Sequence, residues 1–94
     1  MYIVVVKFII ADGYSEMFLQ RVRQQAQDSL SKEADCHVFD VCVDLNDDHR
    51  VQLYEAYTDQ AAFDYHLESS HFRAFDRDVK QAVIDKTISF YHRS

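Results

Sequence analysis

The spacing of hydrophobic and polar positions changes along the chain, and each change marks an element. Tyr2 to Ala11 is dominated by Val and Ile and broken only by Lys7, a pattern that predicts a strand covered on both faces. Asp12-Gly13 interrupts it. From Tyr14 onward Phe18, Leu19, Val22, Ala26 and Leu30 recur at helical spacing, while Arg21, Arg23, Gln24, Gln27 and Asp28 fill the opposite side, which predicts an amphipathic helix packed on a sheet. Ala34-Asp35 ends that helix. Cys36 to Asp44 then alternates, with His37, Phe39, Val41 and Val43 on one face and Val38, Asp40, Cys42 and Asp44 on the other. The polar cluster Asn46-Asp47-Asp48-His49 is a turn, and Arg50 to Tyr57 is a third strand that pairs with the second as a hairpin.

The second helical region is expected to break in two. Asp59 can accept from the free amides of a first turn and so caps a short helix carrying Ala62, Phe63, His66 and Leu67. Ser69 or Ser70 does the same for a helix with the stripe Phe72, Phe75, Val79, Ala82 and Val83. Lys86 to His92 closes the chain as a strand. The order β-α-β-β-α-β predicts an α+β, ferredoxin-like split β-α-β sandwich: an antiparallel sheet with its helices on one face. Residues 1–94 are then one domain. The other sheet face is left bare, with the first and third strands read as apolar on both sides. A second copy of the chain is its expected cover, giving a homodimer through the sheet face, a dimeric α+β barrel.

Composition sharpens this. Hydrophobic residues make up 48% of the chain, with 7 Phe and 6 Tyr, more than a domain of this length easily hides alone. The formal net charge is -6, from 16 acidic against 10 basic residues; without a basic face, nucleic acid is not an expected partner. No apolar run is long enough to cross a bilayer, and no basic-led signal segment precedes a cleavage site, so the expected location is the cytoplasm and no membrane partner is anticipated. Cys36 and Cys42 read as free thiols. Cys36 and His37 have no second pair at ligand spacing, so no metal is expected from the sequence. His49 and His92 read as surface residues.

The polar and aromatic groups concentrate between Leu53 and Phe72. Tyr54-Glu55-Ala56-Tyr57 delivers a carboxylate and two phenols to the sheet, and His66 shares a helix side with Ala62 and Phe63, so its imidazole points inward. A histidine in an apolar space is suited to taking and returning a proton near neutrality. Glu55 either serves that site or pairs with Arg50, Arg73 or Arg77, and the pattern leaves open which face of the third strand lines a cavity.

Gly13 before the first helix, Phe39-Asp40-Val41, Tyr54-Glu55-Ala56-Tyr57, His66 and Ser70-His71-Phe72 together make the chain similar to the antibiotic biosynthesis monooxygenase family over nearly its whole length. It departs from the family's pattern at Ala34-Asp35-Cys36, where members commonly carry a glycine before the second strand. The resemblance implies a cofactor-independent oxygenase acting on a small aromatic or quinol-type ligand. His66 would be the base and Glu55 its orienting partner, with Tyr54 or Tyr57 a hydrogen-bond donor, Phe39 and Phe72 cavity walls, and His71 a further ligand contact. Relatives of the autoinducer-2 phosphate isomerase type imply an alternative, isomerisation of a small phosphorylated ketone, for which Lys7, Arg73 or Arg77 would hold the phosphate. A non-catalytic dimeric ligand-binding or stress-response protein is the third expectation. Haem-degrading relatives share the fold; His66 or His71 could ligate iron, and nothing in the residues decides for it.

Overall fold

A computed structural model describes residues 1–94. The elements are β1 (Tyr2–Ile10), α1 (Ser15–Lys32), β2 (Cys36–Val43), β3 (Arg50–Tyr57), α2 (Gln60–Glu68), α3 (Ser70–Val79), a single 3-10 turn Lys80–Ala82, and β4 (Val83–His92). The strands form one sheet in the order β2-β3-β1-β4, antiparallel at every pairing. This is the expected α+β, ferredoxin-like arrangement.

Strand parity sorts the side chains. On β1, Val4, Val6, Phe8 and Ile10 face the helices and join α1 residues Phe18, Val22 and Ala26 in one core cluster; full burial of such a side chain contributes about 1.5–3 kcal/mol. Because Val4 pairs with Glu55 and Val6 with Leu53, Glu55 and Tyr57 lie on this same helix-covered face.

Four details differ from the sequence pattern. Leu30 is 46% exposed, and the buried stripe of α1 runs instead through Gln25 and Ser29. Ser29 is tolerated there because its hydroxyl donates to the Gln25 carbonyl at 2.8 Å. On β2 the register shifts between Cys36 and Val38. The extra residue, His37, is turned out to solvent rather than in with Phe39, and its Nε2 meets Thr58 Oγ1 at 2.7 Å. β4 begins at Val83, three residues before the alternation becomes visible, because the 3-10 turn releases the chain after Ala82. Finally, β3 is not apolar on both sides. The bare face carries Ile3, Val5, Ile9, Tyr54 and Tyr91, but also Lys7, Arg50, Gln52, Thr87 and Ser89. It is therefore mixed, although Ile3 itself is buried. No helix is long and apolar enough to cross a membrane.

The starts of α2 and α3 follow the capping rule. The Asp59 carboxylate accepts from the Ala62 amide at 2.8 Å, so Asp59→Ala is expected to lower stability by about 1 kcal/mol in urea denaturation. Asp12 has no capping bond; the turn before α1 depends on Gly13, whose φ of 84° suits glycine and strains other residues.

Candidate active site

Three chain segments converge on one carboxylate. α2 presents His66 from its last turn, and Ser69 then stops that helix and starts the next: its hydroxyl donates to the His66 carbonyl at 2.7 Å and accepts from the Phe72 amide at 3.2 Å. α3 consequently brings His71 back beside His66, with ring centroids 6.1 Å apart. From the other side of the fold, Glu33 closes the C-terminus of α1. His66 Nδ1 lies 2.8 Å and His71 Nε2 2.5 Å from the same oxygen, Glu33 Oε2. An ionised carboxylate only accepts, so each imidazole donates an N–H. That tautomer leaves His66 Nε2 as the free lone pair. Glu33 Oε1 is buried without any partner.

Aromatic rings enclose His66. Phe63 stacks on it at 5.9 Å and 19°, Phe72 lies at 5.1 Å, Tyr57 at 5.3 Å and Phe39 at 6.1 Å. His66 is 2% exposed. Burial in this apolar shell pushes its pKa below the ordinary imidazole value, and the Glu33 carboxylate opposes that shift. At neutral pH the ring is therefore an uncharged base with one nitrogen held and one free.

Beside it is a mostly apolar cavity of about 40 Å³, lined by His66, Glu55, Phe39 and Phe72 and reaching Lys86 and Ile88 of β4. Glu55 is the second titrating group here. Burial raises its carboxyl to about 7, even though the Tyr57 hydroxyl donates to Glu55 Oε1 at 2.5 Å. Burial and the Glu55 charge in turn drive the Tyr57 phenol upward. Burial, then the Glu33 and Glu55 charges, raise the Cys36 thiol to about 12, which makes it a structural thiol rather than a nucleophile.

Most of the residues singled out by the sequence are brought together: His66, Glu55, Phe39 and Phe72 line one cavity, Tyr57 touches the His66 ring, and His71 shares its carboxylate. Three assignments are corrected. The partner that orients His66 is Glu33, not Glu55, whose hydrogen bond is to Tyr57. Arg50, Arg73 and Arg77 do not neutralise Glu55; Lys86 is the cation that acts on it. Tyr54 lies on the opposite sheet face, paired with Val5 and Asp40, so it cannot reach a ligand beside His66. Glu33 was missed by sequence reasoning. Its one signal was an acid at a helix C-terminus, where the helix dipole disfavours negative charge.

Two groups have donor atoms close enough to share a metal ion, within 4.8 Å of one another: buried Glu33, His66 and His71, and the more exposed Asp47, Asp48 and His49. Cys36 and His37 form no such group.

The sequence model for antibiotic biosynthesis monooxygenases matches residues 1–78. Solved structures agree over the full length. A Pseudomonas aeruginosa protein is 25% identical at a TM-score of 0.91, covering 99% of this chain and 93% of that one. A Nitrosomonas europaea protein, named only provisionally as an antibiotic biosynthesis monooxygenase, is 23% identical at a TM-score of 0.94, with 99% and 98% covered. Another structure named as an antibiotic biosynthesis monooxygenase is 22% identical at a TM-score of 0.92, with 100% and 99% covered. No protein of curated function matches.

Proposed function

The chain belongs to the antibiotic biosynthesis monooxygenase family, and on that premise we propose that it is a cofactor-independent monooxygenase acting on a small quinol-type aromatic. The observation that carries this reading is the Glu33–His66 pair inside an aromatic enclosure. Oxygenation of an electron-rich phenol needs a base to form the phenolate, a dry cavity to hold the anion beside oxygen, and little else. His66 Nε2 takes the phenolic proton, while Glu33 fixes the tautomer and stabilises the imidazolium that results. The phenolate supplies the electrons: a ring C–H becomes C–OH, the quinol is oxidised to the quinone, and the second oxygen atom leaves as water.

A cavity of about 40 Å³ holds roughly one water, so the ligand extends beyond it. β4 offers the room, since Ile88 and Phe90 on the helix side are 42% and 52% exposed. The aromatic body then lies over these residues with its reacting hydroxyl at His66. The proposed state is a cytoplasmic homodimer, the second copy covering the mixed bare face of the sheet.

The isomerase reading is less well supported, because a phosphate needs cations at the cavity. Arg73 and Arg77 are exposed, and Lys7 lies on the other sheet face, which leaves Lys86 beside the buried Glu55. The test is a panel of quinols, polycyclic phenols and small phosphorylated ketones assayed with and without oxygen, using isotopically labelled O2. One labelled atom in the product and one O2 consumed per substrate are expected. Equal turnover under anaerobic conditions would identify an isomerase, and ligand binding without turnover a binding protein.

A further inference from the structure

We propose that Glu33, His66 and His71 also form a binding site for one divalent transition-metal ion of the zinc type. Two imidazole nitrogens and a carboxylate are a donor set that zinc and its neighbours favour, and three protein ligands leave a fourth position open. The donor atoms already converge, with Glu33 Oε2 2.8 Å from His66 Nδ1 and 2.5 Å from His71 Nε2. Ligand atoms about 2.0–2.1 Å from a tetrahedral ion stand roughly 3.4 Å apart, so each imidazole needs to draw back from Glu33 Oε2 by less than an ångström, and all three donor atoms already lie within 4.8 Å of one another. His66 and His71 sit on separate helices, α2 and α3, that meet at Ser69.

An independent feature points the same way. Glu33 is 4% exposed, yet its Oε1 has no partner while Oε2 accepts from both histidines. A buried carboxylate oxygen without a donor is costly, and an ion that Glu33 grips through both of its oxygens would satisfy it. Glu33 also borders a surface depression lined by Lys32, Asp35, Asp59 and Tyr65, where the carboxylates outnumber the one ammonium.

Binding requires each imidazole to move its proton to the other ring nitrogen. His66 Nε2 then carries a proton and cannot take one from a phenol, so metal and turnover exclude each other. That consequence rests on the proposed oxygenase reading; the binding itself does not, and it is measured without substrate.

Metal-free full-length protein is titrated with cobalt(II) and zinc. Expected are one ion per chain, a visible cobalt d–d band, displacement of cobalt by zinc, and X-ray absorption showing nitrogen as well as oxygen donors on the wild-type chain. Loss of an outer-shell partner commonly weakens metal sites by up to about 100-fold, so loss of a direct ligand in Glu33→Gln or His71→Gln is expected to cost at least ~100-fold. His49→Ala, which disables the exposed Asp47-Asp48-His49 group, should retain wild-type affinity. Absence of uptake, oxygen-only coordination, undiminished affinity in Glu33→Gln and His71→Gln, or abolition by His49→Ala would each overturn the proposal. If a buried-site variant fails to fold, X-ray absorption of the His49→Ala protein still decides the matter, because two imidazole nitrogens on the ion can come only from His66 and His71, the exposed group offering one.

Discussion

His66→Gln is expected to reduce turnover of a quinol substrate by about 10²–10⁴-fold, the usual contribution of a positioned general base. Glutamine keeps an amide N–H that can donate to Glu33, so the buried carboxylate is not stranded, but it has no nitrogen able to take a proton. The loss should fall on kcat rather than KM, since proton removal belongs to the transition state. Turnover within a few-fold of wild type would remove His66 from the chemistry. Glu33→Gln tests the supporting role separately. The carboxylate raises the His66 pKa against the lowering effect of burial; without it, the acid limb of the kcat/KM profile should move to lower pH. A merely structural Glu33 would lower the amount of folded protein and leave that limb in place.

Much of this arrangement was legible in the residues. The two capping side chains Asp59 and Ser69 act as their chemistry requires, and the helices they start carry His66 and Phe72 to the cavity. Strand parity could have gone further. Positions 55 and 57 must share a face and 54 must lie on the other, so Tyr54 and Glu55 never belonged to one pocket. What no local pattern contained was the pairing of Glu33 with His66 and His71, which are 33 and 38 residues away in sequence. It depends on how the C-terminus of α1 docks beside the α2–α3 junction. The His37 error has a similar source, because a bulge reverses inside and outside without disturbing the alternation of residue types.

The same parity makes Glu55 a carboxyl inside the core, and its titration gives a second large expected effect. Folding raises its pKa from the ordinary 4.5 to about 7. Between these values the folded chain holds a proton that the unfolded chain has released, so this contribution to stability is fully present below pH 4.5 and is lost as pH rises through 7. At 1.36 kcal/mol per pKa unit the loss amounts to about 3 kcal/mol by pH 8. Glu55→Gln imitates the protonated acid and still accepts from Tyr57. It should match wild type near pH 4 and exceed it by about 3 kcal/mol at pH 8 in urea denaturation. His66 pulls in the opposite direction, since its depressed pKa makes the fold lose stability as pH falls through the imidazole range. That effect is common to both proteins and largely cancels in the difference. A gap that does not change with pH would mean that Glu55 is ionised in the fold throughout the range. A gap that opens as described would establish that, near neutrality, the Glu55 carboxyl beside His66 is protonated in one part of the folded population and ionised in the rest.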